Sequence, residues 1–112
     1  MDEIGFDDFL KVEIRVGVVC RAEFFPEARK PAIKMWIDFG PDLGERKSSA
    51  QIAARYKAAD LIGKQVLAVV NFPPRQIGNF MSEVLVLGAS DLNDEIVLIK
   101  PDYPVTPGER IH

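Results

Sequence analysis

Side chains that commonly carry enzymatic chemistry are scarce in this chain of 112 residues. Its single histidine is the last residue, His112, and its single cysteine is Cys20. A nucleophile–histidine pair needs an imidazole held within hydrogen-bond reach, and a terminal residue is usually mobile. Zinc sites need several Cys or His side chains at fixed spacing, and the sequence has neither a P-loop nor a GxGxxG motif. We therefore expect no catalytic residue, no metal site, no cofactor and no enzyme activity.

Basic side chains suggest a different chemistry, the binding of phosphate groups. The net charge is -3, but residues 14–82 carry eleven basic and six acidic side chains, whereas both ends of the chain are acidic. A local basic surface attracts nucleic acid even on an acidic protein. The alternative is an ordinary solvated charged face. The candidates for nucleic-acid contact are Arg15, Arg21, Lys34, Arg55 and Arg75.

A third chemistry is the non-covalent binding of an extended apolar ligand. Apolar side chains flank the stiff Pro73–Pro74 pair, and Met and aromatic residues suit promiscuous ligands because they repack easily. Uncharged polar side chains near them could bind a peptide main chain, although turn and helix-start hydrogen bonds explain them equally well. The apolar side chains could instead pack on their own barrel or on a second subunit, and an outward Trp36 could cover a core edge or stack on a base. The candidate peptide-binding residues are Trp36, Ser49, Gln51, Asn71, Phe72, Ile77, Phe80 and Met81.

Short strands are predicted to position these side chains. The clearest is IKMWIDF, in which Ile33, Met35, Ile37 and Phe39 form an inward row. Residues 13–24 also alternate, with an apolar row predicted to contain a buried and inert Cys20; the full row is Ile14, Val16, Val18, Cys20 and Ala22.

The remaining elements are short and separated by turns. We predict one helical turn over 6–11, a loop over 25–31 and a turn over 40–45. We predict a third strand over 46–49 and a helix over 50–59. The apolar runs at 64–72 and 82–89 predict strands buried on both faces, 95–100 predicts a last strand, and 102–111 a proline-bounded tail.

Five or six short strands without a βαβ rhythm predict an all-β fold. A helix between the third and fourth strands favours a five-stranded OB-fold barrel with short extensions at both ends, forming one domain over residues 1–112. A barrel this small has one interior, so a second apolar strand face needs a lid or a partner, and the natural inference is a homodimer. OB-folds bind oligonucleotides and other extended ligands across one sheet face.

Composition and the chain start predict a cytoplasmic protein. Apolar residues make up 47% and charged residues 28%, as in ordinary globular domains. No apolar run approaches the length of a membrane span, so we expect no membrane insertion. The first residues are acidic where a signal peptide is basic, and one cysteine cannot form an internal disulfide.

Three segments resemble the tRNA-binding domain family, the OB-fold modules that are appended to some tRNA synthetases. They are DFLKVEIRVGVV at 8–19, VVNFPPRQIGNFMSEVLVLGAS at 69–90 and VTPGERI at 105–111. Within that family, the segments FPEAR, PAIK, IDFG, SSAQI and NFPP are similar to those of a stand-alone branch of bacterial chaperones linked to protein export. This resemblance implies a homodimeric, ATP-independent chaperone that holds unfolded or exported preproteins in an apolar groove and contacts the export ATPase SecA.

The resemblance also implies an alternative function as a tRNA-binding accessory protein. Relatives that bind tRNA usually have Ser-Gly where this chain has Ala50 and Gln51, and they carry more basic residues in the loop at 75–81. Arg75 is the one charged residue of that loop here. Since each phosphate contact adds to affinity and to salt dependence, we expect weak tRNA binding with a shallow salt dependence.

Overall fold

The computed structural model describes all 112 residues as nine short strands and three short helices. The helices are α1 (Phe6–Leu10), α2 (Gly40–Leu43) and α3 (Ala58–Leu61). The strands are β1 (Ile14–Phe25), β2 (Ala32–Asp38), β3 (Glu45–Ala50), β4 (Gln65–Val69), β5 (Arg75–Ile77), β6 (Phe80–Ser82), β7 (Leu85–Val86), β8 (Gly88–Ser90) and β9 (Ile96–Leu98). No helix is long and apolar enough to cross a membrane.

The main sheet is antiparallel, has five strands in the order β3-β2-β1-β4-β7, and curls into a half-barrel. Its two edges approach each other where the Glu83 N–H donates to the carbonyl of Lys47 at 2.8 Å. The Ser48 hydroxyl adds a buried bond to the carbonyl of Val84 at 2.9 Å. Helix α3 lies between β3 and β4, and β5-β6 and β8-β9 form separate hairpins. The predicted OB-fold is confirmed.

The core lies inside this curled sheet. Ile33, Met35, Ile37 and Phe39 are all buried, as the alternation in β2 predicts. They pack with apolar side chains from β1, β4, α3 and the segment after β3, including Val19, Val66, Leu61 and Ile52. The strict period of two was readable here because one face of β2 is buried along its whole length.

Strand β1 differs from the prediction up to Val19, because Val19 belongs to the core and Gly17 faces Ile37 and Phe39, whereas the predicted row packs on the core only at Ala22, beyond the bulge. Its register with β2 shifts between Val19 and Arg21, and this bulge places Cys20 on the exposed side. The Cys20 Sγ lies 3.1 Å from both the Trp36 carbonyl oxygen and Glu45 Oε1, and these two acceptors share its single S–H donor. Partial desolvation of the sulfur, and secondly the hydrogen bond to Glu45, raise the pKa of the thiol. The predictions of a single inward row and of a buried Cys20 were therefore wrong, because an extra residue reverses the side-chain alternation.

The helix predicted over 50–59 does not form. The segment makes one turn, in which the Tyr56 N–H donates to the Ile52 carbonyl at 3.0 Å, and the helical residues begin at Ala58. Ile52 is buried in the core, and the Tyr56 hydroxyl accepts a hydrogen bond from the Leu98 N–H at 3.0 Å. Tertiary packing therefore overrides the local helix propensity of this segment.

The predicted strand at 82–89 is also broken into pieces. Residues 80–82 belong to the β5-β6 hairpin, 85–86 to the main sheet and 88–90 to the β8-β9 hairpin. Within the single chain Leu85 is half exposed and β8 is exposed throughout, so the chain alone does not bury both faces of this segment. An apolar run cannot by itself reveal that its residues serve three separate pairings.

The tail at 102–111 is docked rather than free. The Gly108 N–H donates to the Val16 carbonyl at 2.7 Å, and the Val16 N–H donates to the Glu109 carbonyl at 2.9 Å. Gly108 has a φ of +98°, and a Cβ placed on it would lie 2.5 Å from the Phe39 carbonyl oxygen. Only glycine fits both this backbone conformation and this close approach.

Candidate functional site

One outer sheet face combines cations with aromatic rings, and we call it the cationic row. The strand register places Arg21 opposite Trp36, and Trp36 opposite Lys47. Lys34 lies two residues before Trp36 on β2 and therefore shares this face. Arg21, Lys34, Trp36 and Lys47 constitute the cationic row.

The rings that support the cationic row stack in a small cluster. The Trp36 ring meets the buried Phe80 ring edge-on, with 5.9 Å between centroids, and Phe80 lies 5.8 Å from Phe25. The Arg21 guanidinium lies 4.2 Å above the Trp36 ring centre. The Lys34 ammonium lies 4.5 Å from the ring centre of Phe25.

These contacts give the cationic row a defined geometry. Both the Lys34 and the Lys47 ammonium groups lie 5.2 Å from the Phe80 ring centre. Cation–π attraction thus holds the cations against the rings. Arg21 is also paired with Glu23, whereas Lys34 and Lys47 form no ion pair.

A second feature is an open, mostly apolar groove of about 550 Å³, which we call the apolar groove. It lies between the β1–β2 loop, the end of β3, the start of β5 and the strands β7 to β9. Its apolar lining includes Ala28, Ile52, Ile77, Leu85, Ile96 and Leu98. Other depressions, near the C-terminal tail, are lined largely by polar residues and prolines. A volume of several hundred cubic ångströms with a mostly apolar lining is typical of ligand sites.

The polar lining of the apolar groove is uncharged except for two arginines. Ser49 lies near the end of β3 and Gln51 directly follows this strand. Arg29 and Arg75 line the groove from the β1–β2 loop and from β5. Neither arginine forms a salt bridge, and no Asp or Glu lines the groove.

The structure brings together three of the candidate peptide-binding residues, Ser49, Gln51 and Ile77, in the apolar groove. Trp36 and Phe80 belong instead to the aromatic cluster under the cationic row.

The other three candidate peptide-binding residues lie outside the groove lining. Phe72 and Met81 are exposed. Asn71 connects the N-terminal segment to β4, because its Oδ1 accepts from the Glu13 N–H at 3.0 Å and its Nδ2 donates to the Lys11 carbonyl at 2.8 Å. The Asn71 side chain therefore has a structural role.

The candidate nucleic-acid residues are similarly divided. Arg21 and Lys34 lie in the cationic row, whereas Arg75 lies at the apolar groove. The Arg15 guanidinium is held by Glu13, at 2.8 Å, and by the Gly108 carbonyl, also at 2.8 Å. Arg55 donates to Asp91 Oδ2 at 2.8 Å, beside the β8–β9 turn. The five basic residues therefore do not form one patch.

Asp91 organises the β8–β9 turn rather than a binding site. Its carboxylate accepts hydrogen bonds from the backbone N–H groups of Glu95, at 3.1 Å, and Asn93, at 2.8 Å. These bonds, followed by the contact with the Arg55 guanidinium, lower the pKa of Asp91. The carboxylate is therefore ionised at neutral pH and bound from several sides.

Sequence reasoning missed Lys47 in the cationic row and Arg29 and Leu85 in the apolar groove. A signal for Lys47 was present, since a strand over 46–49 with Ser48 inward places Lys47 outward. Arg29 lies in a loop and Leu85 in a run without alternation, so their positions depend on tertiary structure.

Comparisons of sequence and structure relate this chain to known proteins. The family model described as "Putative tRNA binding domain" matches residues 14–110. The crystal structures of the chaperone CsaA from Bacillus anthracis and from Picrophilus torridus are 49% and 50% identical to this chain, with TM-scores of 0.92 and 0.91. These matches cover 99% and 98% of this chain and all of each CsaA chain. A methionine–tRNA ligase of Porphyromonas gingivalis is 39% identical over 98% of this chain, which spans 16% of the ligase.

Proposed function

The chain belongs to the putative tRNA-binding domain family, and within this family we propose that it acts as an ATP-independent chaperone. In this proposal a cytoplasmic homodimer holds unfolded segments of exported polypeptides in the apolar groove. The proposal is supported by the two solved structures with TM-scores above 0.9, which are structures of the chaperone CsaA.

The apolar groove is the observation that carries this proposal. It is open to solvent, and Leu85 on its wall is 50% exposed, so a ligand can remove apolar surface from water. Gln51 is exposed at its side and makes no hydrogen bond within the chain. Its amide could bind a peptide main chain without selecting a particular sequence.

The energetics suit transient holding. Burying a Leu or Val side chain of the client contributes roughly 1.5–3 kcal/mol, and a groove of this size accepts a few such side chains. Ordering the peptide and losing its free motion offsets much of that gain. We therefore expect affinities in the micromolar range, with fast release and no need for nucleotide hydrolysis.

Replacement of Leu85 tests this function. Leu85→Ser removes apolar surface from the groove wall, and half of a leucine's burial is worth about 1 kcal/mol, or about five-fold in Kd. The measurement is fluorescence anisotropy with a labelled, apolar, unfolded peptide. Leu92→Ser is the matched control, because Leu92 is fully exposed and lies outside the groove. Equal affinity of both variants and the parent protein would contradict peptide binding in the apolar groove.

The homodimer is supported by apolar side chains at the N-terminus. Phe6 of α1 is 71% exposed, and Ile4, Leu10 and Val12 are exposed beside it. Covering them with a second copy would remove this surface from water. Light scattering after gel filtration should give twice the 12.5 kDa chain mass, and Phe6→Ser should lower it. A parent protein that remains at the mass of one chain would contradict the homodimer.

Contact with the export ATPase SecA is the remaining part of the proposal. It is supported by the similarity to the stand-alone export chaperones. Analytical gel filtration with purified SecA tests it directly. Elution of the two proteins as separate species at micromolar concentrations would remove SecA from the proposal.

The cationic row supports tRNA binding as a second candidate function. Three cations on one sheet face lie against aromatic rings, and such an arrangement can bind phosphates and stack bases. Neutralising Arg21 and Lys47 to glutamine should weaken tRNA binding and flatten its salt dependence by about 0.7 per lost phosphate contact.

Arg55→Gln is the control for this second candidate. Arg55 lies away from the cationic row and is held by Asp91, so its neutralisation should leave the salt dependence unchanged. Titration of labelled tRNA at several salt concentrations gives the slope. An unchanged slope in the Arg21→Gln/Lys47→Gln variant would show that the cationic row does not contact phosphates.

A further inference from the structure

We propose that the apolar groove selects segments in which apolar residues are accompanied by Asp or Glu, and that it disfavours segments carrying Lys or Arg. This inference rests on the proposed peptide-binding function. It names the chemistry of the client, an extended segment with both apolar and acidic side chains.

The charge of the groove lining carries the inference. Arg29 and Arg75 are its only charged residues, and both are exposed. Arg15, Arg21 and Arg55 each pair with a carboxylate of this chain, whereas Arg29 and Arg75 have none within salt-bridge distance. Both guanidinium groups at the groove are therefore available to a ligand.

Arginine is well suited to this role. Its planar guanidinium binds a carboxylate through two parallel hydrogen bonds, and its long apolar stem can cover neighbouring apolar surface. The groove thus provides apolar walls for aliphatic side chains and guanidinium groups for acidic ones. A lysine or arginine of the ligand would meet like charge there and find no acidic partner in the lining.

The net charge of the chain acts in the opposite direction at long range. At -3, the whole molecule attracts basic peptides when salt is low. At about 0.15 M salt the Debye length is about 8 Å, so charges at the groove dominate over distant ones. The effect of the net charge weakens as salt is added, whereas that of the arginines at the groove persists. The preference of the groove should therefore be measured at physiological ionic strength.

Three labelled peptides of equal length test the inference by fluorescence anisotropy. They share the same Leu and Val residues and differ only at the flanking positions, which are Asp, Asn or Lys. We expect the Asp peptide to bind about five-fold more tightly than the Asn peptide, and the Lys peptide about five-fold more weakly.

Two double variants connect this order of affinities to the arginines. Arg29→Glu/Arg75→Glu should invert the order, so that the Lys peptide binds most tightly. Lys57→Glu/Lys100→Glu changes the net charge equally, but neither lysine lines the groove. This control should retain the parent order, and circular dichroism checks that all variants are folded.

The possible outcomes separate this inference from the proposed function. Inversion in the arginine variant alone supports the inference. Equal affinity for the three peptides, together with weaker binding by Leu85→Ser, overturns the acidic preference and leaves the chaperone proposal standing. No binding to any peptide overturns both. A loss of dimer mass in Leu85→Ser would assign the groove to a second copy of the chain and would also overturn the inference.

Discussion

Gly108→Ala should release the C-terminal tail from the barrel. Gly108 adopts a φ of +98°, which an L side chain rarely adopts, and an added Cβ would lie 2.5 Å from the carbonyl oxygen of Phe39. The opposing Gly40 approaches equally closely, since a Cβ there would lie 2.6 Å from the Pro107 carbonyl oxygen. Backbone meets backbone on both sides, so no flexible side chain can move away to make room.

Two contributions determine how much Gly108→Ala lowers the free energy of unfolding. A positive φ costs alanine about 1–2 kcal/mol relative to glycine. The clash also displaces two hydrogen bonds, from the Gly108 N–H to the Val16 carbonyl and from Arg15 to the Gly108 carbonyl. At about 1 kcal/mol each, these bonds raise the expected loss in the free energy of unfolding to about 3–4 kcal/mol.

Gly63→Ala is the control, because Gly63 has a φ of +87° and open space around its missing Cβ. It should lose only the conformational part, about 1–2 kcal/mol. Urea unfolding followed by circular dichroism gives the free energy of unfolding of both variants. In thermal unfolding, the melting temperature of Gly108→Ala should lie about 10 °C below that of Gly63→Ala. Equal losses in the two variants would refute the reasoning, because the close approach to Phe39 would then carry no energetic weight.

Three further predictions concern the core, the β8–β9 turn and the exposed thiol. Gly17→Ala should lower the free energy of unfolding by about 1–3 kcal/mol in urea titrations, because its Cβ would lie 2.4 Å from Ile37 Cγ2; unchanged stability would show that β1 shifts freely. Since hydrogen bonds lower the pKa of Asp91, its contribution to stability is present above the unfolded pKa of about 3.9 and is lost as the pH falls through the folded pKa. Asp91→Asn should therefore make the free energy of unfolding less dependent on pH in the acid range. Identical pH–stability curves for the variant and the parent protein would contradict this role of Asp91. The raised pKa of Cys20 predicts slow alkylation by iodoacetamide at neutral pH, and Glu45→Gln should speed the reaction; an equal rate would mean that Glu45 does not stabilise the thiol.

The sequence predicts strands well where burial follows a simple pattern. The inward row of β2 was readable because alternation continues from Ile33 to Phe39 without interruption. In β1 the same method assigned the wrong row to the core before Cys20, since the bulge that reverses the alternation is a relation between two strands and leaves no sure mark in either one. The helix predicted over 50–59 failed for a related reason, because burial of Ile52 in the core outweighed local propensity.

The binding surfaces were predicted only in part. The inward row of β2 implied the outward position of Trp36, but Arg21 and Lys47 become its neighbours only through the register of three strands. Arg75 was grouped with the phosphate-binding candidates, whereas the structure places it beside Ile77 in the apolar groove. Residue type predicted the chemistry of each side chain but not its partners.

By itself the sequence determined the small all-β barrel, its family and the scarcity of residues suited to covalent catalysis, because these depend on composition, periodicity and motifs along the chain. Only the tertiary structure decided that the basic residues separate between the cationic row and the apolar groove. It also decided that Arg29 and Arg75 have no acidic partner, whereas Arg15 and Arg55 do. The physical reason is that charge neutralisation and groove formation depend on distances between segments far apart in the chain, and these distances are set by strand register and loop paths.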